Sequence, residues 1–270
     1  MRIDQSLIFF IPGGYTKHSR HKSPKDIFGF SMKYFMPIIL FLFWRDYSML
    51  RLILAFLITY DLYEIGYIEN DCETIKKEKN PTMRLTTEDL AYYEKNKVHI
   101  YLTKILIALV IGVYLLIWEK TNILYVLFPV LILPTYYVYN RMRCRWNLVI
   151  HAILMFLRYY TPILLATHFF CWIDALAILF VYPIKGMIEL SVYGKFGGYK
   201  NQFVEKFILH DYSCFQQFRL KYYSFGSLIS GLLLVFHKVE ISIFTIYLYF
   251  LLFTFVSMNT LGKCKHLNIQ

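Results

Sequence analysis

Asn70, Asp71, Thr74 and Glu78 fall within one short stretch, with Lys76, Lys77, Lys79 and Arg84 threaded among and after them. Carboxylate and amide oxygens are what a hard cation such as Mg²⁺ selects. Magnesium usually takes one or two protein carboxylates and fills its shell with water and substrate phosphate. Lysines and an arginine beside such ligands suit a polyphosphate. If the preceding helix runs on through the motif, Glu64, Asp71 and Glu78 share one face, and Asn70, Thr74 and Glu78 form an adjacent stripe at four-residue spacing. Nine of the chain's 18 acidic residues lie between Asp61 and Glu94. Harmless pairing of solvated charges is the ordinary explanation of such a loop. It is weakened here because Asp61 and Glu64 lie inside an apolar run, where ionisable groups are costly and functional by default.

The elements that must position these residues are membrane helices. Of 270 residues, 57% are apolar and 17% charged, too little charge to coat a soluble domain. Spans of about 20 apolar residues cross a bilayer. Eight candidates are read at 29–44, 48–69, 99–118, 121–139, 146–166, 168–188, 222–237 and 239–259. With the N-terminus placed in the cytoplasm, the segments 1–28, 70–98, 140–145, 189–221 and 260–270, with Lys185, hold 22 of the 29 Lys and Arg. That asymmetry predicts both termini inside and the charged loops 70–98 and 189–221 on the cytoplasmic face. The net charge of +11 then needs no nucleic-acid partner; lipid headgroups account for it. Five scattered cysteines show no CxxC pair, which argues against a disulfide framework or zinc site. The apolar run near the N-terminus is too short for a signal-peptide core, so the first span is expected to do the targeting. The expected fold is all-α, a polytopic membrane helical bundle forming a single domain, 1–270.

The stretch Asn70 to Glu78 resembles the first acidic motif, N-D-x-x-D-x-x-x-D, of the UbiA superfamily of intramembrane prenyltransferases. Asn70 and Asp71 match, Glu78 replaces the last Asp, and Thr74, beside Glu73, stands at the middle position. The run Asn80–Arg84, N-P-T-M-R, is similar to the H-P-T-K-R of the branch that makes polyprenyl-phosphate phosphoribose, with a one-residue gap. Lys185–Leu190, K-G-M-I-E-L, resembles that branch's K-R-x-x-E-L, with Gly186 where an Arg is expected. The resemblance implies eight to nine helices around a central cavity with cytoplasmic cap loops. It implies Mg²⁺ held by Asn70, Asp71, Thr74, Glu78 and Glu189, and a substrate diphosphate gripped by Lys33, Lys77, Arg84, Lys185 and Arg158. Asp71, Asn70 and Glu78 would be catalytic. The implied reaction displaces diphosphate, transferring phosphoribose from phosphoribosyl diphosphate to polyprenyl phosphate for surface glycan assembly at a bacterial inner membrane. A prenyl diphosphate donor with a small acceptor uses the same clamp and stays open. A transporter is the reading from another class, although the densest charge lies at the membrane surface rather than its midplane.

Other residues carry two readings each. Arg158 is mid-span and either grips an anion or pairs with Asp174 on the next helix. Lys33 and Lys104 sit near span ends and can snorkel. His151 reads as a hydrogen-bonded core residue. Arg141, Arg143 and Arg145 read as a membrane anchor, His210 and Asp211 as cap residues, and Tyr193–Tyr199 as a glycine-rich turn.

Overall fold

The computed structural model describes residues 5–78, 81–142, 144–192, 200–208, 215–237 and 239–267. Among them every regular element is helical and none is a strand. The helices are α1 (Gln5–Phe10), α2 (Gly14–Arg20), α3 (Pro24–Lys33), α4 (Phe35–Leu42), α5 (Met49–Ile68), α6 (Thr87–Ile117), α7 (Ile123–Leu127), α8 (Ile132–Arg141), α9 (Asn147–Thr167), α10 (Trp172–Leu179), α11 (Lys185–Val192), α12 (Gln202–Phe207), α13 (Phe215–Val235) and α14 (Ile241–Leu267). Lys79, Asn80, Arg143, Tyr193–Tyr199, His210 and Asp211 lie outside the described residues.

Among the described residues, five stretches are long and apolar enough to cross a membrane: Thr87–Ile117, Ile123–Arg141, Asn147–Thr167, Trp172–Val192 and Ile241–Asn259. Their apolar side chains point outward as well as inward. On α6, Leu102, Leu106, Leu109, Val110, Val113 and Ile117 are all exposed, the arrangement that hydrocarbon rather than water tolerates. The chain is an integral membrane protein by this measure. The expected span 29–44 is broken: Tyr34 ends α3, and α4 starts afresh at Phe35. α6 starts well before the apolar run at 99. Thr86 and Asp89 close a capping box there, satisfying the first free N–H groups.

The chain forms two compact units. One comprises Met1–Phe35, Tyr47–Arg143 and Ile153–Phe170, the other Met36–Asp46, Cys144–Ala152 and Cys171–Gln270. In the first, α5 packs against α6 and α8 around Ala55, Ile58, Leu62, Tyr63, Ala108, Ile111 and Tyr136. Gly66 is obligatory at this contact, because a Cβ there would sit 2.1 Å from the Tyr136 ring. A smaller core of Ile8, Phe9, Tyr15, Ile68, Cys72, Tyr93 and Ile100 fixes the N-terminal hairpin α1–α2 against α5 and α6.

A fully buried ion cluster ties these elements together. Lys104 of α6 lies 3.0 Å from Asp61 and 2.7 Å from Glu64 of α5, all three at 0% side-chain exposure. Lys104 therefore does not snorkel; two carboxylates hold it inside. Glu64 also accepts from the backbone N–H groups of Gly13, at 3.0 Å, and Thr16, at 2.6 Å. The carboxylate thus caps the start of α2, where free N–H groups and the helix dipole favour an anion. Gly13 supplies the left-handed turn before it, with φ 84°.

Removing the cation should leave two buried carboxylates without a partner. Lys104→Met is expected to cost about 3–5 kcal/mol, read as a fall in melting temperature in detergent. The triple variant Lys104→Met/Asp61→Asn/Glu64→Gln should recover much of that loss.

Candidate functional site

The motif lies where α5 changes helix type. After Ile68 the chain makes a π-turn, Glu69–Glu73, then a 3₁₀ turn, Thr74–Lys77, and leaves as extended backbone at Glu78. The uninterrupted helix expected through Glu78 is therefore absent. So is the common face of Glu64, Asp71 and Glu78, because a wider and then a tighter turn rotates the later residues away. Asn140 of α8 supports the start of the π-turn by donating to the Gly66 carbonyl at 3.1 Å.

The π-turn aims Asp71 inward, to 1% side-chain exposure. Its Oδ2 accepts from Tyr15 Oη at 3.0 Å and an Arg20 guanidinium N–H at 2.8 Å. Its Oδ1 accepts from Arg84 at 2.9 Å, Arg20 at 3.1 Å and the Asn70 amide at 3.0 Å. Burial, and next the Asp71 charge, push the Tyr15 phenol well above its usual range, so it stays a donor. Arg20 also stacks on Tyr67, its guanidinium 4.3 Å from the ring centroid. Two cations thus surround one carboxylate, and the buried Arg20 Nε has no acceptor.

The excess of cation continues along α5. Tyr60, Tyr63 and Tyr67 recur at three- and four-residue spacing, on one face of α5. Arg158 of α9 sits over Tyr63 at 5.0 Å, over Tyr60 at 5.2 Å, over Tyr34 at 4.7 Å and over Phe30 at 5.3 Å. It donates to Tyr60 Oη. The expected alternative, pairing with Asp174, is not what forms: Asp174 bonds Arg45 at 2.7 Å. His21 stacks on Phe30, centroids 4.4 Å apart. Its pKa is lowered first by burial and next by Arg158, with Arg20 adding to this and Asp26 opposing it.

The other predicted residues fall elsewhere. Thr74 donates its hydroxyl to the Glu69 carbonyl, at 3.4 Å. The Lys33 and Lys77 side chains are exposed. In the second unit, Glu189 accepts from Lys185 at 3.3 Å and from Arg219 at 2.6 and 2.9 Å. Lys185 lies 4.7 Å from the Tyr182 ring centroid. This cluster also follows a π-turn, Phe180–Ile184, which contains Pro183. Tyr222 and Tyr223 donate to the carbonyls of Phe180 and Val181, at 2.5 and 3.2 Å.

The magnesium expectation meets a specific obstacle in these donors. Both Asp71 oxygens are taken by guanidinium, phenol and amide donors, and Thr74 is turned to backbone. Among the described residues no three His, Cys, Asp or Glu side chains converge. The side chains do not form a preformed metal cage. A cavity of about 360 Å³ lined by Glu69, Glu73, Tyr93, Lys97, Val98 and Tyr101 lies nearby, but its carboxylates are also engaged, Glu69 by Arg141 and Glu73 by Tyr93 and Lys76.

No protein-family model matches the sequence, and no curated protein or solved structure matches it.

Sequence reasoning missed Tyr15, Arg20 and His21 because it took residues 1–28 only as a topology signal. The clue was the run Tyr15–His21, which places an aromatic and four bases, Lys17, His18, Arg20 and His21, shortly before the first apolar segment. It also missed Arg219, at the start of a helix read from 222.

The Glu64 cap should be what holds α2 over this site. Two charge-assisted bonds of about 1.5 kcal/mol or more each imply that Glu64→Ala speeds hydrogen exchange of the Gly14–Arg20 amides by at least about tenfold. Amides in the middle of α9 should be unaffected.

Proposed function

We propose that this chain is an intramembrane transferase that displaces diphosphate from its donor. The observation that carries the reading is the charge count of the Asp71 cluster. Arg20 and Arg84 both face the single carboxylate of Asp71 beside membrane helices, and the further guanidinium of Arg158 lies back along α5 from them. A buried excess of guanidinium calls for an anion, and guanidinium forks fit phosphate oxygens in pairs. Asp71 acts as an orienter in this reading: it fixes Arg20 and Arg84 so that their remaining N–H groups meet the diphosphate without reorganising.

The favoured donor is phosphoribosyl diphosphate and the favoured acceptor polyprenyl phosphate. An acceptor phosphate oxygen forms a bond to the anomeric carbon as the carbon–oxygen bond to diphosphate breaks, and the bonding pair leaves with diphosphate. Arginines neutralise the charge growing on that leaving group. The acceptor is already an anion and needs orientation more than a base. Magnesium belongs to the proposal only as the counter-ion of the diphosphate, since the described residues form no cage for it. The lysine and arginine asymmetry supports placing both termini and this site on the cytoplasmic face; a bacterial inner membrane and a bundle of about eight to nine helices are what the resemblance to the UbiA superfamily implies. The tyrosine face of α5 favours a second reading, a prenyl diphosphate donor, because aromatic rings stabilise allylic cations. Those rings already carry guanidiniums, which is why the second reading ranks lower.

The purified chain is to be incubated with Mg²⁺, polyprenyl phosphate and radiolabelled phosphoribosyl diphosphate, and the lipid extracted. Label should enter the lipid, disappear with EDTA, and fall about 100-fold in Arg84→Gln and in Asp71→Asn. Unlabelled lipid, with prenyl diphosphate consumed in a parallel reaction, would establish the second donor. Movement of intact substrate across the membrane, with no diphosphate released, would identify a transporter and end the enzyme reading.

A further inference from the structure

Arg158 is the cation whose partner is missing. It is the twelfth of 21 residues in α9, so roughly 15 Å of helix separates it from either end. Four aromatic rings surround the guanidinium. It hydrogen-bonds Tyr60 Oη and lies within reach of the Tyr34 hydroxyl, and its buried Nε has no acceptor. The ionisable groups that act on it most are tyrosines, Tyr60, Tyr67, Tyr63 and Tyr34, and His21 is near enough to feel its charge. No carboxylate among the described residues makes an ion pair with it.

Guanidinium offers five donors. Aromatic faces reduce the cost of burying it but accept no strong hydrogen bond, and they do not cancel its charge. The tyrosine hydroxyls are fixed as well: Tyr34 donates to the Arg158 carbonyl at 3.1 Å, and Tyr159 donates to the Lys33 carbonyl at 2.7 Å. The structure thus contains a rigid, oriented cation at membrane depth with unused N–H groups.

We infer that Arg158 binds the phosphate of a lipid-chain substrate, at a position distinct from the Asp71 cluster. Depth chooses the lipid source. Tyr60, bonded to Arg158, lies eight residues before the end of α5, about 12 Å along the helix, and Asp71 lies beyond that end in the π-turn. A soluble diphosphate meets Arg20 and Arg84 at the helix end. A phosphate attached to a hydrocarbon chain reaches Arg158 from within the bilayer. This deepens the transferase reading by placing the acceptor's phosphate, and its role as acceptor rests on that reading. The binding itself does not require turnover.

The test measures melting temperature of the full chain in detergent with farnesyl phosphate, farnesol or inorganic phosphate. Farnesyl phosphate should raise the melting temperature of the wild type and of Asp71→Asn, whereas farnesol and inorganic phosphate should not. Arg158→Gln should abolish the rise. Arg158→Lys keeps the buried charge but loses the fork, and should weaken apparent affinity about tenfold; this variant decides the matter if Arg158→Gln does not fold. An equal rise with farnesol would show that only the chain is bound, and an equal rise with inorganic phosphate would show a free-anion site. Either result, or undiminished affinity in Arg158→Lys, overturns the proposal. Binding as expected without transfer of label would leave this site standing and remove the transferase reading.

Discussion

The first unit depends on a single physical demand, that the charge of Lys104 be neutralised without water. A lone ammonium in a membrane helix costs several kcal/mol. Here Asp61 and Glu64 approach it from α5, so α6 cannot slide or rotate against α5 without exposing a buried charge. Two acids against one base would leave a surplus of negative charge. Glu64 disposes of it by accepting from the Gly13 and Thr16 N–H groups. That choice brings the α1–α2 hairpin onto the helix pair. With the hairpin come Tyr15, Arg20 and His21. The residues that surround Asp71 are in place because of an ion cluster two turns further along α5.

A second constraint is local. An α-helix continuing past Ile68 would have kept Asp71 in step with Glu64 and Glu78. The π-turn at Glu69–Glu73 breaks the step and points Asp71 at Arg20 and Arg84. The same device occurs within the second unit, where the π-turn Phe180–Ile184 precedes Lys185 and Glu189. In each case a carboxylate is held between two cations, and side-chain donors from a neighbouring helix satisfy carbonyls at the turn. π-turns cost backbone geometry and cluster at functional positions. The first overlaps the start of the Asn70–Glu78 motif and the second directly precedes Lys185–Leu190.

The membrane class and the helical content were legible from composition, periodicity and the cost of charge in an apolar run. Arg84 was legible too, through its position after the motif. The environment of Asp71 was not. Periodicity assumes a constant 3.6-residue repeat, and a π-turn followed by a 3₁₀ turn violates it with no signal as strong as proline or glycine. Arg20 lies fifty-one residues from Asp71 in sequence, and no local pattern joins them. Lys104 was misread because its place near a span end suits snorkelling. Only the pairing of α5 with α6 shows that acids already await it.

The difference between a metal ligand and an arginine orienter is a difference in what the carboxylate has left to give. A magnesium ligand must present a free lone pair in a near-octahedral shell. Asp71 instead receives five hydrogen bonds from four side chains. Such a carboxylate is spent as a ligand, but it is effective at holding guanidiniums rigid. Rigid cations stabilise a departing diphosphate best when they need not move as its charge grows. In the proposed transferase the acidic motif would serve an anion indirectly: within Asn70–Arg84 the acid would position and the arginine would bind.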